Sequence, residues 1–342
     1  PPARGMAKMI TVIIAMKEEA EPIVEHYRLE RLDGSCFVEG APMVAWRGTL
    51  PNGVLLHVVW CGHDERFGVN NVATTAAAVS AYGAVAAFGK PDLMISAGTA
   101  GGFGQRGAAV GDVFLSTKCV FHSRRIPVSG GTLEEYGFGH FRSPPLSGLA
   151  AAAQLKQGVV TTSDSLDSTE TDMELMMAEG AVVKEMECAA VAWVCERLRV
   201  PFVALKSITD IVDGDKSTRD EFESNLRMAS SALQTRMAIV LELLGSRPLS
   251  AWAARTPAAS SDDVGKQAAA EGPRSAAERP AGALSTGVAV DAAADASMVA
   301  FTATDPGRSL APRWPLAAVV PYVLIAIVVI AEVAVTVRRS RS

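Results

Sequence analysis

The stretch AVVKEMECAAVAW, residues 181–193, decides how this chain is read. An apolar, β-branched run reaches Glu185 and Glu187 at its end and then opens into an apolar helix. Carboxylates at a strand-to-helix junction have two explanations. Acidic side chains suit the positive end of a helix. They also suit a ligand that offers hydroxyls, because a carboxylate accepts strong hydrogen bonds.

Similar β-branched runs occur at 9–16, 54–61, 92–97, 112–118, 158–163 and 201–209. Several are apolar on both faces, as in a sheet covered on both sides. Helical stretches are expected at 69–88, 187–198 and 218–244. The last opens with Thr218-x-x-Glu221, a capping-box pattern. Its Phe222, Leu226, Ala229, Leu233 and Met237 step by three or four. Alternation of this kind predicts an α/β fold, with one folded unit over 9–246. Ligands in such folds sit at the carboxyl ends of the strands. Polar residues gather at four such ends: Glu18 and Glu19 after 9–16, a Gly-rich turn at 98–102 with Thr99, Glu185 and Glu187, and Asp210 after 201–209.

The totals exclude several alternatives. Hydrophobic residues make up 49% of the 342, enough for a sizeable core. The net charge of −5 gives no reason to expect a nucleic-acid partner. Five cysteines with no CxxC pair suggest neither a disulfide framework nor a zinc site. The five histidines have no ligand spacing, so no metal is expected.

The far end of the chain differs. Residues 247–313 are rich in Ala, Ser, Pro and Gly and are predicted to be a disordered linker. From Trp314 to Ala331 there is no charge, and the apolar run continues past Glu332 to Val337. That exceeds the about 20 apolar residues needed to cross a bilayer, so 314–337 is expected to be a transmembrane helix. Nothing in 1–16 looks like a signal peptide. An anchored chain would then face the cytosol, against the positive-inside tendency of Arg338, Arg339 and Arg341 beyond the span.

Four motifs, AMKEEA (15–20), SAGTAGG (96–102), EMECAA (185–190) and LKSITDIVDGD (205–215), resemble the purine and uridine phosphorylase superfamily. Within it they look like the plant-type methylthioadenosine/S-adenosylhomocysteine nucleosidases. The resemblance covers 9 to about 246. It implies the phosphorylase/nucleosidase fold, a mixed central sheet flanked by helices, and hydrolysis of 5′-methylthioadenosine to adenine and 5-methylthioribose in methionine salvage. S-adenosylhomocysteine is a possible second substrate. It implies no cofactor, and a homodimer.

Laid on this chain, the resemblance makes Glu19 the base that activates water. Glu187 would hold the ribose 2′- and 3′-hydroxyls, with Met186 against the sugar. Asp210 would give a proton to adenine N7. Thr99 and Lys206 would line the ribose and water pocket, and Leu166 would pack around adenine.

The chemistry needs these residue types. Adenine is a poor leaving group until protonated, so an acid must stand beside it with a raised pKa or a proton relay. A carboxylate across the sugar must deprotonate water, as in inverting glycoside hydrolysis. A third can accept from both ribose hydroxyls and favour the cationic sugar. The helix dipole explains a carboxylate at 187 but not the preceding Met or the matching Asp210.

Plainer readings stand beside these. Glu18 is expected to be an exposed first-turn acid. Glu185 either touches the sugar or faces solvent. Lys206 inside an apolar run needs a partner, which the carboxylates could supply. Asp213 and Asp215 suit a turn, His122 suits the pocket rim or a packed site, and Leu166 suits plain core. Ser163 stands where the resembled family has Gly, which puts the adenine loop in doubt if a special backbone angle is needed. Ser123 replaces a common Asp.

Two other functions compete. A phosphate-dependent phosphorylase would need arginines around a phosphate, and Arg66 is the one candidate. A membrane-tethered, non-catalytic nucleoside-binding module would not need an acid and a base on opposite sides of the sugar.

Overall fold

The structure, a computed structural model, describes residues 8–128 and 131–253. Its strands are β1 (Met9–Ile14), β2 (Glu30–Arg31), β3 (Val44–Thr49), β4 (Leu55–Trp60), β5 (His63–Asp64), β6 (Val69–Asn70), β7 (Leu93–Gly102), β8 (Val113–Phe121), β9 (Phe141–Arg142), β10 (Lys156–Thr162), β11 (Ala181–Glu185) and β12 (Phe202–Ile211). Its helices are α1 (Lys17–Tyr27), α2 (Ala73–Phe88), α3 (Thr132–Phe138), α4 (Ser147–Ala152), α5 (Glu170–Ala178), α6 (Cys188–Leu198) and α7 (Thr218–Ser246).

The main sheet runs β11-β10-β8-β12-β7-β1-β4-β3-β2, with β9 on β8. It is mixed: β1 is parallel to β4 and β7, while β3 is antiparallel to β4 and β8 antiparallel to β12. It also closes on itself. β11 pairs with β10 on one side and with the end of β7 on the other, through Val183–Gly102 and Lys184–Gly101. Strands β7, β12, β8, β10 and β11 therefore form a ring, and β1, β4, β3 and β2 extend from it as an open wing.

Both faces are covered, which is why the strand runs read as continuously apolar. On one face α1 packs Ile23 over β4 and β1, and α7 brings Leu233, Met237 and Leu241 into the same core while lying along β12 and β7. On the other, α2 and α6 meet through Ala77, Ala81, Ala84, Ala189 and Ala192. Small side chains on both helices let them approach closely.

The structure changes four expectations. The Gly-rich segment 98–102 is not a turn: β7 runs through Gly102, and β12 runs past Asp210 to Ile211. Glycine suggests a turn from sequence, yet strands flanked on both sides supply the pairing that it lacks alone. The capping box at Thr218 does not form. Ser217 is the N-cap of α7, and the Glu221 carboxylate instead accepts from the Ile211 N–H at 3.0 Å, tying α7 to the end of β12. Of the stripe named on α7, Ala229, Leu233 and Met237 are buried, whereas Phe222 and Leu226 are only partly so. Finally, the fold continues beyond 246. Leu249–Trp252 form a 3-10 turn, and Trp252 is buried in the cluster of Leu146, Leu149 and Leu155. One tryptophan in an Ala- and Ser-rich stretch has no periodicity to reveal it. The remainder of the expected linker and the expected membrane segment 314–337 lie outside the described residues. Among the described residues no helix is long and apolar enough to cross a membrane.

Candidate active site

The carboxyl ends of β1, β7, β11 and β12 converge on one cavity of about 930 Å³. That is within the range that takes a nucleoside-sized ligand. Glu19, Thr99, Leu166, Met186, Glu187 and Asp210 all line it.

Glu19 reaches the cavity from the first turn of α1 and is 3% exposed. Its Oε1 accepts from the Thr99 N–H at 2.6 Å and from the Thr99 hydroxyl at 2.7 Å. Burial raises its pKa, opposed by the Lys206 ammonium and the Thr99 hydrogen bonds. This contact depends on Gly98. A Cβ there would stand 3.1 Å from one Glu19 oxygen and 3.3 Å from the Lys206 Nζ. Glu18, one residue earlier, is exposed as expected and accepts from Asn70.

The two explanations for acids at the β11–α6 junction divide between two residues. Glu185 caps the helix. It accepts from the N–H groups of Glu187 and Cys188, each at 2.9 Å, and from the Thr162 hydroxyl. It also pairs with Lys206 at 3.0 Å. Its carboxylate is thus engaged inside the protein rather than turned to solvent. Burial alone would raise it, but Lys206 and these hydrogen bonds outweigh burial and hold its pKa below the ordinary carboxylate range. Glu187 turns into the cavity. Its Oε1 accepts from the Ala73 N–H at 2.9 Å, and its Oε2 lies 3.5 Å from Lys206. Ala73 adopts a φ of +74°, a strained conformation for a residue with a Cβ, where its N–H meets this carboxylate. Burial pushes Glu187 up to about 7, with Lys206 opposing and the Glu185 and Glu19 charges adding.

Asp210 stands on β12, its Oδ1 accepting from the Thr209 hydroxyl at 2.7 Å. Its pKa is raised by burial, against the Thr209 hydrogen bond and the Lys184 charge. Lys206 is not in the cavity wall. It lies beneath, 1% exposed, and joins Glu185 and Glu187 from below. Its expected place as a lining residue is corrected. Regular alternation would put 206 and 210 on one face, but the strand register shifts between Ile208 and Asp210, and the Lys206 ammonium is turned to the buried acids.

Other candidates separate cleanly. Leu166 is 46% exposed and lines the cavity, so it is not core. Ser163 has no positive φ, and its hydroxyl bonds within the turn to Ser165, so no glycine is required. Asp213 accepts from Gly104 and Gln105 and shapes a turn. His122 is buried behind the wall rather than at the rim, and burial lowers its pKa to about 4. Arg66 lies exposed on the β5–β6 hairpin, stacked over Phe67 and away from the cavity. Among the described residues no three His, Cys, Asp or Glu side chains are arranged to hold a metal ion.

Sequence reasoning missed Lys184, which lines the cavity at 6% exposure, and Phe222, Val72 and Val212. The lysine had a signal. It is a cation inside a buried apolar strand, the same argument that singled out Lys206.

Comparison with known proteins gives the family. Residues 9–244 match the phosphorylase superfamily. The chain is 39% identical over 241 residues to a 5′-methylthioadenosine nucleosidase of Arabidopsis thaliana, spanning 70% of this chain and 89% of the relative. It is 36% identical to a 5′-methylthioadenosine/S-adenosylhomocysteine nucleosidase of the same plant, spanning 70% and 93%. The solved apo structure of Arabidopsis thaliana 5′-methylthioadenosine nucleosidase matches with a TM-score of 0.69 at 38% identity, over 72% of this chain and 99% of that one.

Proposed function

Because the chain belongs to the phosphorylase superfamily, we propose that its cavity hydrolyses the N-glycosidic bond of 5′-methylthioadenosine, giving adenine and 5-methylthioribose in methionine salvage. The convergence of Glu19, Glu187 and Asp210 on one cavity carries this reading. The similarity to plant nucleosidases supports it.

Each residue then has a task. Glu19 takes a proton from water as the water oxygen bonds to C1′. The C1′–N9 bond breaks toward an oxocarbenium-like sugar, and Asp210 delivers a proton to N7, so adenine leaves neutral. Glu187 accepts from the ribose 2′- and 3′-hydroxyls, and its charge favours the cationic sugar. Thr99 orients Glu19 through two hydrogen bonds. Met186 lies against the sugar and Leu166 against the base. Lys206 holds Glu185 and Glu187 in register from beneath.

Arg66 lies outside the cavity, and Arg219, which lines it, is paired with Glu223 at 3.0 Å; the Glu19 charge would also repel a phosphate dianion. Purified protein should release adenine from 5′-methylthioadenosine at the same rate with and without phosphate. Strict phosphate dependence would reject hydrolysis. The same assay on S-adenosylhomocysteine measures whether it is a second substrate.

Assembly and placement are part of the same proposal. The exposed Val79 and Tyr82 of α2, Val72 just ahead of it, and Phe67 and Val69 on the β5–β6 hairpin offer apolar surface for a second copy in a homodimer. The uncharged run 314–331 supports attachment to a membrane. A chain truncated after Ala253 should sediment as a soluble dimer while the full chain follows the membrane fraction. A monomer, or equal partitioning of the two, would reject the corresponding part.

A further inference from the structure

Lys184 has no part in the chemistry assigned above, yet it stands in the cavity wall. Burying an ammonium is costly unless it is hydrogen-bonded and compensated. Its Nζ donates to the main-chain carbonyls of Ser165 at 2.9 Å and Leu166 at 2.6 Å. Those carbonyls belong to the segment 163–168, of which Leu166, Asp167 and Ser168 face the cavity. The far end of that segment is fixed by Thr169, which caps α5 through Asp172. Its near end is held by Ser163 on the Glu185 carbonyl and by Asp164, which accepts from the Thr74 N–H at 2.8 Å; Lys184 ties the middle, at Ser165 and Leu166.

The closed ring of strands sets what lies opposite. Lys184 pairs with Gly101 across β11–β7, and Gly101 pairs with Asp210 across β7–β12. The three occupy one row on three adjacent strands, and cross-strand neighbours project to the same face. Gly101 has no side chain, and a Cβ there would fall 2.7 Å from Asp210 Oδ2. The lysine and the aspartate therefore share the space above a bare backbone position.

We propose that Lys184 is a positioning residue for the purine end of the cavity: its ammonium ties the 163–168 segment across the base and sets a fixed positive charge beside Asp210. This rests on the reading of Asp210 as the acid that protonates adenine. The charge balance around the pair is consistent with it. Burial lowers Lys184, while Asp210, Asp167, Glu185 and Asp172 raise it. Burial raises Asp210, the Thr209 hydrogen bond and Lys184 lower it, and Glu221 on α7 raises it. His122, also near Lys184, is held neutral at working pH by burial.

The sign of the effect follows. The Lys184 charge favours the ionised form of Asp210, so without it Asp210 keeps its proton to higher pH. Catalysis uses protonated Asp210, so the alkaline limb of kcat/KM should move to higher pH. Loss of the two carbonyl bonds should also raise KM for 5′-methylthioadenosine about tenfold.

The test compares the full chain with Lys184→Met and Lys184→Gln, measuring kcat and KM from acid to alkaline pH. Gln keeps a donor for the carbonyls, so if Met prevents folding the Gln variant still reads the limb. A displaced alkaline limb in a variant that melts like the parent supports the proposal. Unchanged KM and limb overturn it, as does a fall in kcat with the limb unmoved. If the parent chain hydrolyses substrate and Asp210→Asn does not, an inert Lys184 overturns only this inference. If the parent fails to hydrolyse, the proposed function itself falls.

Discussion

Asp210→Asn is expected to lower turnover of 5′-methylthioadenosine by about 100- to 10,000-fold while leaving substrate binding largely intact. The amide is nearly isosteric and keeps an oxygen for the Thr209 hydroxyl, which holds the native carboxylate at 2.7 Å. It has no acidic proton to give to N7, so the leaving group departs as an anion. The pH dependence gives a second reading. Burial raises both Asp210 and Glu19. Asp210 acts protonated, so activity falls as pH rises through its pKa. Glu19 acts ionised, so activity falls as pH drops through its own. The asparagine variant should keep the acid limb and lose the alkaline one. Single-turnover rates with a binding titration on the same variant check both parts. Undiminished turnover would remove Asp210 from the chemistry, and retained binding without turnover would exclude the non-catalytic module.

Lys206→Met should destabilise the fold by about 3–5 kcal/mol, the cost of removing one partner from a buried ion pair. For a domain of this size that is roughly a 10 °C drop in Tm. Lys206 is 1% exposed and serves Glu185 at 3.0 Å and Glu187 at 3.5 Å. Without it, buried carboxylates face one another uncompensated. Burial by itself lowers the lysine, but the surrounding Glu185, Glu187 and Glu19 carboxylates raise it above its ordinary value, so it is charged in the native protein. In the variant the carboxylates should take up protons on folding, raising their folded-state pKa. Stability gained that way is full below the unfolded carboxylate pKa and lost as pH rises through the folded one. The deficit should therefore shrink toward pH 5 and widen above neutrality. Thermal melts of parent and variant across that range measure it. An equal deficit at all pH values would mean that the loss is one of packing rather than charge.

Much of this was legible in the residues, for physical reasons. Runs such as MITVII and FVALKSITDI are β-branched and buried on both faces, so they announce strands whatever their partners. The acids at their ends could be placed because chain direction fixes which end faces the ligand. Long-range pairing was not legible. Nothing local to VVKE indicates that β11 also joins β7, so the closed ring, and with it the Lys184–Gly101–Asp210 row, needs three dimensions. The same blindness turned a strand of glycines into a turn. Lys206 was the right residue for the wrong surface: a buried cation among acids is readable, but not which side of the wall it takes. Glu185 went unassigned because capping and ligand binding ask for the same side chain.

The ring formed by β7, β12, β8, β10 and β11 has a consequence for motion. Thr99 and Asp210 belong to strands hydrogen-bonded on both sides, and Glu187 follows directly on β11, which is likewise flanked. Such strands open only with the whole molecule, whereas sparsely bonded segments fluctuate freely. The reacting groups thus behave as an anvil of fixed spacing. Entry of substrate and escape of adenine need not move these strands, so the pace of exchange with solvent can change without disturbing the alignment of the chemistry.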